Sequence, residues 1–184
     1  SVYWSSGRWN GFGEAFAQLN RDSVLDMVFA GRCVAIGLAC LASLVVFVLA
    51  QRFFPPGVAL VVAGFCVFDP NLSAHGRLVT TDIGATLSFL LLSVALLNWF
   101  ATPSWRTLIL LGSVAGLACL FKHSGLLLVV CGFACIVWVT VRSQWTVSQS
   151  TCAAFVFLLV VSLVIWLGYA GETVDPLSGR FFPL

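Results

Sequence analysis

One short stretch, FDPNLSAHGRLVTTDIG at residues 68–84, places Asp69, His75, Arg77 and Asp82 close together in an otherwise greasy chain. Such a set has chemistry available to it. A carboxylate can orient a hydroxyl, accept a proton or hold a cation. Arg77 can grip a phosphate with its planar fork, and Lys122, further along, can do so as a point charge. His75 and His123 with Asp82 could be metal ligands, but two histidines so far apart are weak grounds, and no metal site is assigned. Each residue also has a plainer use. Asp69 precedes Pro70 and suits a helix end. Thr80, Thr81 or Asp82 could cap the helix that follows. Arg77 and Lys122 could simply snorkel toward lipid headgroups. Asn71-Leu72-Ser73 matches a glycosylation sequon but lies against the membrane, so it is discounted.

The elements that must hold these residues are membrane helices. Of the 184 residues, 60% are hydrophobic and only 9% charged, with a mean hydropathy of +1.05. Soluble domains carry about 25% charged residues, so this chain cannot cover itself with a water-facing shell. The net charge of +2 and the lack of a basic run give no footing for nucleic acid. The seven cysteines are scattered without a CxxC pair, six of them within apolar stretches, and read as small apolar filler. The expected fold is an all-α polytopic bundle of about six spans, at 33–50, 53–68, 83–101, 107–121, 124–141 and 152–170. The second and fourth are short for a hydrocarbon layer about 30 Å thick. Residues 107–141 cannot be a single helix. It would be roughly 50 Å long and would bury Lys122 near the midplane at about 2.5–3.5 kcal/mol. A polar corner at Lys122-His123-Ser124-Gly125 avoids both problems.

Six spans put 51–52, 102–106 and 142–151 on one side, with Arg52, Arg106 and Arg142 as their only charges. The other side receives 1–32, 69–82, 122–123 and 171–184, with every acidic residue: Glu14, Asp22, Asp26, Asp69, Asp82, Glu172 and Asp175. The purely basic side with short loops is assigned to the cytoplasm. The raw Lys/Arg count runs against this, because Arg8, Arg21, Arg32, Arg77, Lys122 and Arg180 fall opposite. Trp99, Trp105, Trp138, Trp145 and Trp166 sit near span ends, as an aromatic belt would. The expected organisation is an interfacial segment at 1–32 containing a helix or two, a transmembrane module at 33–170, and the start of an extracytoplasmic loop at 171–184.

The 68–84 stretch resembles the signature loop of the family 39 glycosyltransferases, which include the protein O-mannosyltransferases and the bacterial aminoarabinose transferases of lipid A. Their loop reads Pro-Asn-x-x-Ala-His-x-Arg-x-x-Thr-Thr-Asp and leads into a membrane helix. Ala30-Gly31-Arg32 is similar to the arginine that opens an early helix of the family. Gly116-Leu117-Ala118-Cys119-Leu120-Phe121-Lys122-His123-Ser124 is similar to its Gly-Leu-Ala-x-Leu-x-Lys-x-Ser corner. Trp166-Leu167-Gly168-Tyr169, Pro176-Leu177 and Phe182-Pro183-Leu184 resemble the end of its membrane module.

The resemblance implies a C-type glycosyltransferase that moves a sugar from a polyprenyl-phosphate carrier to a lipid, glycan or protein acceptor on the extracytoplasmic face, usually with inversion. It implies an integral, multi-pass protein, with a bacterial inner or plasma membrane expected. Residue by residue, Asp82 matches the family's second acid, which shapes the acceptor or donor site. Arg77 and Lys122 match the cations facing the carrier phosphate, and His75 matches the loop histidine, to which no role is given. The resemblance leaves open whether a divalent metal takes part. The family's principal acidic pair, usually Asp-Glu after its first membrane helix, has no counterpart here. The chain therefore reads as a piece of such a transferase, expected to be inactive alone. A transporter or flippase is the alternative, but the spans lack deep ionisable residues and paired repeats. A non-catalytic scaffold left by truncation is the third reading.

Overall fold

The computed structural model describes residues 9–142 and 146–170. Arg8, Trp145 and the expected loop 171–184, with Glu172, Asp175, Arg180 and the tail motifs, lie outside the described residues. Every described regular element is a helix: α1 Trp9–Leu19, α2 Val24–Ala50, α3 Pro56–Val67, α4 Pro70–His75, α5 Asp82–Ala101, α6 Trp105–Phe121, α7 Gly125–Arg142 and α8 Val147–Tyr169. Among them α2, α5 and α8 are long and apolar enough to cross a membrane, while α3, α6 and most of α7 form shorter apolar helices. The chain is an integral membrane helical bundle, as its composition requires.

Several boundaries differ from the hydropathy reading, each for a local reason. α2 begins at Val24, well before position 33, so Asp26 and Arg32 belong to the long helix and α1 alone is the separate helix of the segment before it. Backbone hydrogen bonding continues a helix through charged residues that end an apolar window. α6 starts at Trp105 because Ser104 accepts from the Thr107 N–H at 3.3 Å while the Thr107 hydroxyl accepts from the Ser104 N–H at 3.0 Å. The same reciprocal cap between Thr146 and Gln149 starts α8 at Val147, ahead of the apolar run. The expected belt also needs correction. Trp105, Trp138 and Trp166 are exposed, but Trp99 is fully buried and packs in the core of the bundle.

α6 is the axis of the larger part of the bundle. It packs against α5, α7 and α8, and their shared core includes Leu92, Trp99, Leu111, Ile136 and Phe157. Close approach to α8 rests on small residues. A Cβ on Gly112 or Gly116 would press on Val160 or Val164 and on the α8 backbone, and one on Gly168 would meet Leu120. In lipid, where no hydrophobic drive separates helix from solvent, such contact supplies the packing energy. Gly116→Leu should therefore lower unfolding stability in detergent by about 1–3 kcal/mol, measurable as a lower midpoint in thermal or denaturant unfolding. An unchanged midpoint would mean that the α6–α8 contact contributes nothing.

A second, smaller group joins through α5. Ala42 and Val45 of α2 bury against Leu87 of α5, and α3 packs along α2. At the far end of these helices Arg52 donates to the Asn98 side chain at 2.8 Å. α3 has 12 residues, about 18 Å at 1.5 Å per residue, and so stops well short of the Val24 end of α2.

Candidate functional site

The loop expected between the second and third spans is a built element. Asp69 caps α4, its Oδ1 accepting from the Leu72 N–H at 2.8 Å, and Pro70 takes the first helical position, where no N–H is needed. Asp69 is thus structural, as its place beside a proline suggested, although it opens a helix as well as following one. The Ser73 hydroxyl donates to the Val67 carbonyl at 3.2 Å and ties α4 back onto the end of α3. Gly76 is buried, and a Cβ there would touch Ala39 of α2. Further on, Gly31 of α2 lies against Val79. The segment therefore climbs beside α2 from the level of Ala39 to that of Gly31 before α5 begins.

Asp82 is the first residue of α5. Thr81 stands at the N-cap without a side-chain cap bond, and the Asp82 carboxylate reaches outward. Its Oδ1 accepts from Lys122 Nζ at 2.6 Å, and its Oδ2 lies 3.7 Å from His75 Nδ1. The capping use weighed for Asp82 is not the one its carboxylate serves. All three side chains are roughly half exposed. Solvent-exposed pairs of this kind contribute little to stability, so the trio is better placed to meet a ligand than to hold the fold.

Two packing contacts make the pair possible. α6 ends at Phe121, Lys122 turns into extended backbone with φ −156° and ψ 145°, and α7 starts at Gly125. The corner fell where the cost of burying Lys122 required it. A Cβ on Gly125 would run into the Ala118–Cys119 backbone, so only glycine allows so tight a reversal. One turn into α5, the space a Cβ of Gly84 would fill is taken by the Phe121 ring. Phe121 and Gly84 thus lock the end of α6 to the start of α5 and bring residue 122 to residue 82. Neither was singled out from sequence. Gly84, two positions after the acid, was the available signal.

Arg77 stands apart. It lines a different cavity from His75 and Asp82, and among the described residues its guanidinium has no ion pair or hydrogen bond. Asp69, Asn71, His75, Asp82, Ile83 and Thr86 are among the residues lining a recess of about 430 Å³. Thr86 follows Asp82 by one turn, a spacing that puts both on one face of α5. His123 does not complete a metal site with His75 and Asp82, since no group of three such ligands exists among the described residues.

The apolar helices define a polytopic membrane protein, and its half-exposed acid pairs with a lysine from a second helix at one end of the bundle. Family comparison places it further. Residues 17–166 match the dolichyl-phosphate-mannose-protein mannosyltransferase family, and the chain belongs to that family of membrane glycosyltransferases. No curated protein and no solved structure matches it.

Proposed function

We propose that this chain forms part of a transferase that takes a sugar from a polyprenyl-phosphate carrier and hands it to an acceptor on the extracytoplasmic face. The observation that carries the reading is the Lys122–Asp82 contact of 2.6 Å with His75 alongside, in a chain of this family. The acceptor's hydroxyl oxygen attacks the anomeric carbon, and its proton passes to a carboxylate. The bond from that carbon to the phosphate oxygen breaks, and the phosphate leaves with the electron pair. Lys122 has three N–H donors and gives one to Asp82, so two can meet the charge growing on the leaving oxygen. Asp82 holds that ammonium in place, and its Oδ2, facing His75, orients sugar or acceptor hydroxyls. Arg77, which the resemblance also assigns to the phosphate, lines the neighbouring cavity and not the recess of His75 and Asp82.

The sidedness belongs to the same proposal. The Asp82–Lys122 and Arg52–Asn98 contacts lie at opposite ends of α5, and the basic loops at the Arg52 end favour the cytoplasm for that end.

The test uses membranes from cells expressing the complete gene product and a radiolabelled polyprenyl-phosphate sugar panel, mannose included. Label should move from the lipid into an acceptor in a gene-dependent way. A membrane-impermeant maleimide should label a cysteine placed at Asn71 from outside the cell. Label crossing the membrane still attached to its lipid would instead indicate a flippase. Labelling of position 71 only from inside would overturn the assigned face.

A further inference from the structure

α4 holds His75 in a fixed place. Asp69 caps the start of that helix, Ser73 is tied to Val67 and Gly76 packs on Ala39. The imidazole at its end lines the same recess as Asp82 and is about half exposed. Yet it makes no side-chain hydrogen bond among the described residues. Its Nδ1 stops 3.7 Å from Asp82 Oδ2, beyond the reach of about 3.2 Å within which N–H···O bonds form. A single oxygen atom can sit within hydrogen-bonding reach, about 2.8 Å, of both atoms at once.

The two atoms demand different things of such a guest. A carboxylate oxygen only accepts, so the guest must donate to Oδ2. The imidazole nitrogen that faces a carboxylate is the one that carries the hydrogen, because a bare lone pair there would meet negative charge. Nδ1–H therefore donates, and the guest must accept from it. A hydroxyl can donate and accept together. An ammonium only donates, and an ether oxygen only accepts. Charge does not reverse this choice. Lys122 already offsets Asp82 at 2.6 Å. The other carboxylate of the recess, Asp69, stands six residues before His75, about 9 Å along the helix axis, with its Oδ1 spent on the Leu72 N–H. Arg77 lines the neighbouring cavity.

We propose that His75 is a specificity-determining residue: with Asp82 Oδ2 it clasps one hydroxyl of the transferred sugar, so the site takes a sugar with a free hydroxyl at that carbon and turns away one with an amino group or hydrogen there. This rests on the transferase reading and gives the loop histidine, which the resemblance leaves without a role, a part in sugar choice. The clasped hydroxyl is not the one that attacks. An N–H donated into the attacking oxygen would occupy a lone pair and weaken it as a nucleophile. A spectator hydroxyl on the sugar has no such conflict, and the clasp itself makes and breaks no covalent bond.

The experiment separates this inference from the reading beneath it. Initial rates are taken with the complete gene product in native membranes, normalised to protein. The substrates are the polyprenyl-phosphate sugar that the panel above shows to be transferred, and donors with hydrogen or an amino group in place of each ring hydroxyl in turn. One position should stand out, its deoxy and amino donors falling at least about tenfold in kcat/KM, as for loss of a hydrogen bond to a charged group. His75→Ala should lower the parent donor by a similar factor but change that one deoxy donor less than about twofold, since the bond it removes is already absent. His75→Asn should recover most of the loss, because its amide N–H falls where Nδ1–H was. His75→Gln, whose amide reaches further, should not. The loss should be equal at about pH 6 and about pH 8, because Nδ1 keeps its hydrogen in both charge states of the ring. An equal fall across every donor in His75→Ala would make the residue a structural one or a partner of the acceptor, and would overturn the clasp while transfer stands. So would undiminished transfer by His75→Ala, an amino donor preferred to the parent, or a loss confined to one end of the pH range, which would mark a proton carrier. Absence of transfer from every sugar of the panel would sink the transferase reading and the clasp with it.

Discussion

Lys122→Ala should reduce sugar transfer by about two to three orders of magnitude, the loss typical of removing one donor aimed at developing charge. Asp82→Asn should lower it by about 10²–10⁴, through misplacement of Lys122 and loss of a charged acceptor for sugar or acceptor hydroxyls. The two effects should not add. Each side chain works through a 2.6 Å contact with the other, so the double variant should be little worse than the poorer single one. Initial rates with the complete gene product, normalised to protein in the membrane, provide the measurement. Lys122→Arg keeps the charge but changes the geometry and should fall between. If Lys122→Ala transfers within twofold of the parent, the pair is an ornament of the surface and the assigned site is wrong.

The second large effect comes from a residue with no chemistry. Gly84→Val places branched carbon where the Phe121 ring lies. Removing a glycine from a helix gains about 0.5–1 kcal/mol, but overpacking costs about 1–3 kcal/mol, so the net sign is destabilising. Function should suffer more than stability. Phe121 adjoins Lys122, and displacing the ring draws the ammonium away from Asp82. Transfer should drop more than tenfold, and Gly84→Val with Phe121→Ala should recover part of it by returning the space. A cysteine pair at positions 82 and 122 reports on the same contact, and its crosslinking should weaken when Gly84→Val is added. Undiminished crosslinking and transfer would show that the ring does not set the site.

Much of this arrangement was legible in the sequence, because in a membrane the cost of misplacing charge is high and local. Lys122 could not sit mid-span, which fixed the corner before Gly125. Alternation of spans put residues 82 and 122 at the same end, although nothing in the spacing could give their 2.6 Å separation. Less legible were elements fixed by capping and hydrogen bonding, which hydropathy does not see. α4 begins with Asp-Pro, and that dipeptide serves equally to stop a helix and to start one, so the stretch read as a turn. The reciprocal caps at Ser104 and Thr146 extended α6 and α8 beyond their apolar runs. Trp99 looked like a belt residue from its position near a span end, yet which face of a helix meets its neighbours depends on packing partners distant in the chain. The roles expected of Asp82, Arg77 and Lys122 came from family resemblance, which matched His75 to the loop histidine without giving it a role, and family membership supports the transferase class.

Among the described residues, one hydrophobic cluster is shared by α5–α8 and another lies between α2 and α5. Asp82 stands at their seam. Lys122 belongs to the first body, while His75 rides on α4, which is carried by the second. A small tilt between the bodies, pivoting on α5, would leave the lysine contact closed and widen or narrow the 3.7 Å gap to the imidazole. Spectroscopic labels on α4 and α6 would read that gap as a gauge, registering the filling of either cavity as a change in spacing.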